Sequence, residues 1–463
     1  MIEDNALGRV IRELRELATA GRAGDRLPSV RDLMARHHVS PVTVQTAIRR
    51  VAADGVVEVR PGRGSFIAAR TESRPPDLSW QSVALGAGRR GEEALSTLLA
   101  MHKPETIALS SGYFDASLQP ASALGAAMAR AARRPTAWER GPVEGRYDLR
   151  DWFAREAGGG LRAGDMTVCS GGQAALATAF RGLAAPGDTL LVEAPTYLGA
   201  IAVGRDAGLR VVPVPADTDG VRPDLLASAF ESTGARLFYC QPLHANPHGG
   251  VLSRERRGEV LQAVADAGAF LIEDDWSRGL TIDGEAQRPL AADDQDGHVV
   301  YLRSLTKLVA PGLRVAAIGA RGVAGARLRT ARGLADLFVA GPLQDAAIDF
   351  LTSPAWRRHL SGLRSALRVR RDALFDALER HLPELRPATV PSGGLHVWLQ
   401  LPDGVDEAEV TVAAAARDVA VFPGRPWFAA EPPGQRLRLS FGGAPAELFD
   451  EAVRRLADAL AAS

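Results

Sequence analysis

Six short β-rich runs, TLLVEAP, RVVPVP, RLFYCQP, AFLIEDD, HVVYLRS and VAAIGA, recur between residues 189 and 320, separated by longer segments. Several of those segments are helix-like, as at 173–184, 196–207 and 253–267. Strands that alternate with helices do not pair as hairpins. Each crossover returns to the same edge, so the runs predict a mostly parallel sheet covered by helices, an α/β architecture. In such sheets ligands bind outside the carboxyl ends of the strands. The large part of this unit is expected at about 140–340. From about 345 to 463 the pattern changes to one long helix through GLRSALRVRRDALFDALERHL, then LHVWLQL, VAVFPG and LRLSFG. This reads as a smaller α+β part.

The strand ends carry the chemistry. In CSGGQAALATAF, small residues precede a helix, so the amides of Gly171, Gly172 and Gln173 can cradle a phosphate at its positive end. LIEDDW closes a buried run with three carboxylates, Glu273, Asp274 and Asp275, any one of which can hold a proton on a pyridine nitrogen. SLTKLVAPGLR contains Lys307, one of two lysines in a chain whose other 53 basic residues are arginine. A surface charge is served by arginine. An amine that must deprotonate and attack a carbonyl is not, because guanidinium stays protonated. Ser304 and Arg314, on either side, offer a hydroxyl and a fork of donors to a phosphate. His244 and His248 in HANPHGG do not read as a metal pair, because Pro247 denies them the helix that i, i+4 ligands prefer. Together these parts make up a pyridoxal 5'-phosphate site.

Ahead of this lies a small module. Leu7, Val10, Ile11, Leu14 and Leu17 form one helical stripe. Ser29 is placed to cap a second helix with Val30, Leu33 and Met34 inward. Ser40 caps a third, with Pro41 at its first position. That helix is expected to bury Val44, Ile48 and Val51 and to show Thr43, Gln45, Arg49 and Arg50 to solvent. Gly55 ends it, and VVEVRPGRGSFIA makes two strands around a turn at Pro61–Gly64. Three helices and a wing lay a recognition helix in the major groove. Residues 1–70 hold 12 arginines against 8 acidic side chains, in a chain whose formal net charge is zero. Positive charge is thus concentrated where phosphates are met.

That neutrality excludes a global field for nucleic acid or membrane. Two cysteines, Cys169 and Cys240, make neither a disulfide framework nor a zinc site. No apolar run approaches the ~18 residues of a membrane span, and MIEDNALGRVIREL does not read as a signal peptide. A cytoplasmic protein without membrane association is expected. The Pro, Ser and Gly content of residues 70–92 marks a linker between a domain at 1–69 and one at 93–463.

LPSVRDL, VSPVTVQTAIRRVAADG and RPGRGSFIA closely resemble the winged helix-turn-helix of the GntR family over residues 7–68. By that resemblance Arg31, the start of the third helix from Ser40, and the wing at Gly62, Arg63 and Gly64 touch double-stranded operator DNA. Pro41 and Gln45 stand where the family often has arginine, which removes phosphate or base contacts. SGGQAAL, VEAPTY, HANPHGG, IEDDW, SLTKLVAPGLR and LRLSFG resemble fold type I aminotransferases of class I/II over 93–463. A GntR-type reader fused to such a domain resembles the MocR subfamily of transcriptional regulators.

The resemblance implies that Lys307 is the Schiff-base lysine of pyridoxal phosphate and that Asp274 pairs with the ring nitrogen. Asn246 then lies at the ring hydroxyl and Tyr197 stacks on the ring. Gly171, Gly172, Gln173, Ser304 and Arg314 hold the phosphate. Arg438 grips an amino-acid carboxylate, with Arg436 its neighbouring alternative. Trp276 stands where family members commonly have a tyrosine that bonds the ring oxygen, and indole offers one donor and no acceptor. The function implied is a homodimeric regulator that senses an amine or amino acid by aldimine exchange at Lys307. The alternatives are an active aminotransferase with an accessory reader, its turnover weakened by Trp276, and a sensor of pyridoxal phosphate itself.

Overall fold

The computed structural model describes residues 6–69, 76–85, 99, 101–385, 387 and 390–462. The chain divides into two compact units, Met1–Gly88 and Arg89–Ser463.

In the first unit, helix α1 (Ala6–Ala20) buries Val10, Ile11 and Leu14. Helix α2 (Val30–His37) begins with a reciprocal cap: Ser29 Oγ accepts the Asp32 amide and the Asp32 carboxylate accepts the Ser29 amide. It ends at His38, which takes the left-handed conformation (φ 52°). Ser40 caps α3 (Pro41–Ala53) through the Thr43 amide. Val44, Ile48 and Val51 pack with Val10, Leu14, Leu27 and Leu33 into one small core. Strands β1 (Val57–Arg60) and β2 (Gly64–Ile67) pair antiparallel as a wing, turning at Gly62 with φ +71°. One expectation is corrected here. Thr43 does not face solvent freely: it is half-buried, and its hydroxyl meets Ser40 Oγ at 2.9 Å.

The segment expected as a linker, 70–92, falls mostly outside the described residues. Its described part contains helix α4 (Ser79–Leu85), where the broken periodicity predicts no regular element. Asp77 accepts the Ser79 amide at 3.0 Å and so supplies an N-terminal cap, while no side chain of α4 is buried.

The second unit opens with β3 (Ile107–Ala108), α5 (Ala121–Ala132) and α6 (Tyr147–Ala157). It then alternates: β4 (Met166–Cys169), α7 (Gly172–Leu183), β5 (Thr189–Ala194), α8 (Leu198–Asp206), β6 (Arg210–Asp217), β7 (Gly220–Val221), α9 (Pro223–Thr233), β8 (Leu237–Cys240), α10 (Arg254–Asp266), β9 (Phe270–Asp274), β10 (Val299–Ser304) and β11 (Ala316–Gly319). These eight strands form one sheet in the order β4-β11-β10-β9-β8-β5-β6-β7. Strands β10, β9, β8, β5 and β6 are mutually parallel, whereas β11 runs antiparallel to both β10 and β4. The carboxyl ends of β4, β5, β8, β9 and β10 therefore share an edge with the amino end of β11. Residues of β4, β5, β8, β9, β10 and β11 are buried on both faces, which is why these strands read as continuous apolar runs.

Helices α11 (Gly322–Asp336), α12 (Gly341–Leu351) and α13 (Pro354–His381) lead to a second sheet. Its elements are β12 (His396–Gln400), α14 (Glu407–Ala415), β13 (Val419–Ala420), β14 (Phe422–Pro423), β15 (Arg436–Ser440) and α15 (Phe449–Leu460). The three-stranded order is β12-β15-β14, and β13 pairs with β3. Among the described residues no helix is long and apolar enough to cross a membrane.

Candidate functional site

The shared edge of the large sheet is lined by a cleft of about 560 Å³ that brings together Gly172, Gln173, Tyr197, Asn246, Asp274, Trp276, Ser304, Lys307 and Arg314. Every one of these residues is a candidate from the sequence. Parallel strands explain the meeting. Strands β4, β5, β8, β9 and β10 each supply a residue at or beyond the carboxyl end, and Arg314 lies just before β11, which runs the other way.

Of the three carboxylates in IEDDW, only Asp274 lines the cleft. Tyr239 Oη donates to it at 2.6 Å and Gln241 Nε2 at 2.8 Å. Glu273 points to the other face of β9, where it accepts the Leu290 and Ala291 amides at 2.8 and 2.9 Å. Asp275 accepts from Tyr301 Oη at 2.7 Å and pairs with Arg278. Burial pushes Asp274 up to about 6, against the pull of its two donors. Tyr239 and Gln241 were missed from sequence. Their signal was the period of two in FYCQ, because Tyr239 lies opposite Ile272 in parallel register. That places Gln241 beside Asp274.

Lys307 Nζ donates to the Gly112 carbonyl at 2.8 Å and lies 3.6 Å from the centre of the Tyr113 ring. Burial, with Arg438 and Arg314 nearby, lowers its pKa from 10.5 to about 7 despite Asp274. A good share of the amine is thus neutral near pH 7, as a nucleophile requires. Ser110, Gly112 and Tyr113 precede every strand predicted for the large sheet, and nothing in their pattern pointed here.

Glycine at 171 is needed for conformation. Its φ is +95°, and a Cβ there would come within 2.5 Å of the Arg314 guanidinium. Its own amide, however, donates to the Cys169 carbonyl at 2.8 Å, so the expected third cradle amide is already taken. Gly172 and Gln173 begin α7 beside Ser304 and Arg314, and this corner keeps the positive end of a helix for an anion. The Gln173 side chain accepts from Tyr197 Oη at 3.2 Å and donates to the Gly199 carbonyl at 3.1 Å, which fixes the Tyr197 ring.

Arg438, fully buried on β15, donates to Asn246 Oδ1 at 3.1 Å and to the Ser110 carbonyl. Its guanidinium lies over Trp427 (4.3 Å) and Phe422 (5.1 Å). Arg436 is turned instead to Gln400, at 3.0 Å. Trp276 stacks on His396 with ring centres 5.6 Å apart.

A phosphorylated pyridine aldehyde fits this donor set. The corner at Gly172, Ser304 and Arg314 suits its phosphate, Asp274 its ring nitrogen and Lys307 its aldehyde. Trp276 Nε1 and Thr306 Oγ1, both on residues that line the cleft, are buried without a hydrogen-bond partner among the described residues.

In the first unit Arg31, Ser40, Gln45, Arg49, Arg50, Gly62, Arg63 and Gly64 are exposed. Arg26, which the sequence did not single out, lays its guanidinium within 3.4 Å of the position a Cβ on Gly64 would take.

Comparison with known proteins agrees with both halves. Residues 104–456 match the family model for aminotransferase class I and II, and residues 8–67 match that for bacterial regulatory proteins of the gntR family. The chain belongs to the MocR-type regulators. An HTH-type transcriptional regulator of Bacillus subtilis, YdfD, is 27% identical over 94% of this chain and 91% of its own length. The 2-aminoadipate transaminase of Thermus thermophilus is 33% identical over 83% of this chain and 98% of its own. Among solved structures, LysN, an alpha-aminoadipate aminotransferase from T. thermophilus complexed with N-(5'-phosphopyridoxyl)-L-leucine, superposes with a TM-score of 0.75. It is 30% identical, over 83% of this chain and 99% of its own. This MocR-type chain is thus a DNA-binding gntR-family regulator joined to a fold type I aminotransferase domain, and pyridoxal phosphate is the cofactor of that domain.

Proposed function

We propose that the aminotransferase unit senses a small amine or amino acid at Lys307 and thereby controls operator binding by residues 1–69, through the tether at 70–92. The observation that carries this reading is the convergence of Lys307, Asp274 and an anion corner on one cleft, in a chain that also holds a DNA reader. Bound pyridoxal phosphate supplies an electrophilic aldehyde and an electron-withdrawing ring. The residues of the chain do the rest. Gly172, Gln173, Ser304 and Arg314 bind the phosphate, with Gly171 shaping the turn. Asp274, held by Tyr239 and Gln241, keeps a proton on the ring nitrogen. Tyr197 covers one ring face, Asn246 and Trp276 lie at the ring oxygen, and Lys307 presents its amine. Arg438 selects ligands that carry a carboxylate. Control of DNA binding requires that the ligand favour one DNA-affinity state, and the coupling is reciprocal.

The chain works as a homodimer in this reading, its paired readers matching two half-sites in cytoplasmic DNA. Exposed Trp138, Leu334 and Leu337 on the aminotransferase unit support a partner surface. A second reading, true transamination, is favoured by the transaminase relative at 33% identity. The loss of a phenol at Trp276 speaks for slow turnover.

Borohydride treatment of cofactor-loaded protein, followed by peptide mapping, tests the site. Label is expected at Lys307. Label at Lys103, or none, overturns the assignment. A scan of amines and amino acids for spectral change then names the effector class.

A further inference from the structure

One buried side chain touches both ends of the ring site. Gln241 directly follows β8, in the position beside Asp274. Its Nε2 donates to Asp274 Oδ2 at 2.8 Å, and its Oε1 accepts the Asn246 amide at 2.9 Å. Its own backbone amide donates to Glu193 Oε2 at 2.8 Å, which anchors the residue to β5 as well. Asp274, Asn246 and Glu193 are buried with it.

These contacts leave the side-chain amide one orientation. A backbone N–H can only donate, so Oε1 must face Asn246 and Nε2 must face Asp274. Asp274 therefore meets a group that donates to it and cannot accept from it. Tyr239 Oη donates to the same oxygen, Oδ2, at 2.6 Å. No hydrogen bond reaches Oδ1 among the described residues, and Asp274 lines the cleft. Two donors on one oxygen favour the ionised carboxylate, and the other oxygen is left for a protonated ring nitrogen. Asn246 is meanwhile pinned twice, at its amide by Gln241 and at Oδ1 by Arg438. Tyr239 shares the first of these tasks and not the second, since no hydrogen bond joins it to Asn246 among the described residues.

We propose that Gln241 is a positioning residue for the cofactor ring, one amide that keeps the proton on the ring nitrogen through Asp274 and holds Asn246 at the ring oxygen. This rests on the reading of Asp274 and Asn246 given above and names the side chain that sets both.

Protein loaded with pyridoxal phosphate, isotope-labelled at the ring nitrogen, tests this. Nuclear magnetic resonance reports where the proton sits, and amide hydrogen exchange reports Asn246. Gln241→Met is expected to lower the ratio of nitrogen-bound to carboxylate-bound proton at least tenfold, the worth of one hydrogen bond to a charged group. It is also expected to speed exchange at Asn246. Tyr239→Phe is expected to move the nitrogen signal the same way and to leave Asn246 as in the wild type. Faster exchange at Asn246 with an unmoved nitrogen signal overturns the proposal, because Gln241 then only braces a loop. Unchanged exchange at Asn246 overturns it too. A wild type that binds no cofactor, or whose ring nitrogen carries no proton, overturns the reading of the site itself and the proposal with it.

Should Gln241→Met not fold, Gln241→Glu decides. Its carboxyl accepts from Asn246 in either state but donates to Asp274 only while protonated. The nitrogen signal should therefore shift toward the unprotonated form as pH rises. The ionisable groups around Asp274 are Tyr239, Cys240, Glu193, Tyr197, Asp275 and Lys307, and the wild type, which has them all, is the control. A variant signal that follows the wild type's across the pH range overturns the proposal.

Discussion

Arg438 Nη1 donates to Asn246 Oδ1 at 3.1 Å, and that bond joins the small sheet to the loop that follows β8 of the large sheet. In the proposed reading, carboxylate recognition by Arg438 and ring-hydroxyl recognition by Asn246 share this contact. Arg438→Met should weaken carboxylate-bearing ligands about 30- to 150-fold, the worth of a charge-assisted hydrogen bond of roughly 2–3 kcal/mol. Titration of the cofactor's spectrum with simple amines should move far less. Equal loss for amines and amino acids would place the carboxylate elsewhere.

The phosphate corner depends on backbone shape at one residue. Gly171 has φ +95°, and an added Cβ would meet Arg314 at 2.5 Å. Gly171→Ala should therefore both strain the turn and push the guanidinium aside, lowering pyridoxal phosphate affinity at least tenfold, or about 1.4 kcal/mol. Binding of operator DNA by the cofactor-free chain should be unchanged. The check is equilibrium dialysis of the cofactor beside a gel-shift assay.

Much of this was legible before any coordinates. The runs at 189–194 and 299–304 are buried on both faces, so their apolar continuity marks them as strands of a parallel sheet. A shared strand-end edge followed from that, and Lys307, Asp274 and Arg314 do line one cleft there. What escaped was held by long-range contact. Tyr239 and Gln241 reach Asp274 across a parallel register; the period of two in FYCQ puts them on one face but does not say which strand lies beside it. Strand β4, MTVC, is too short to stand out beside the glycine turn it feeds. Gly112 and Ser110 meet Lys307 and Arg438 through backbone carbonyls, and a carbonyl leaves no mark in residue type.

On the reader, Arg49 on α3 and Arg63 in the wing are exposed, and neither makes an ion pair among the described residues. Removing one arginine–phosphate pairing should reduce the slope of log affinity against log salt by about 1. Arg49→Ala and Arg63→Ala should weaken operator binding with cofactor content unchanged. A parallel loss of cofactor would count against separate modules.

The pH behaviour of Lys307 follows from its surroundings. Burial, Arg438 and Arg314 favour the neutral amine, Asp274 opposes them, and the balance falls at about 7 instead of 10.5. Between these values the unfolded chain holds a proton that the folded, cofactor-free protein does not. Stability therefore rises with pH across this window, and the cost of the buried amine is fully present below about pH 7. Lys307→Met removes that cost. The variant should be the more stable by on the order of 5 kcal/mol near pH 6.5, and its advantage should vanish near pH 10.5. Urea unfolding of the cofactor-free proteins at several pH values measures the difference. The same balance sets reactivity. Pyridoxal phosphate uptake by the wild type, followed by rapid-mixing absorbance, should accelerate as pH approaches 7 and level off by about pH 8. A rate still climbing tenfold per pH unit at pH 9 would mean an ordinary lysine, and the cleft would not tune its nucleophile.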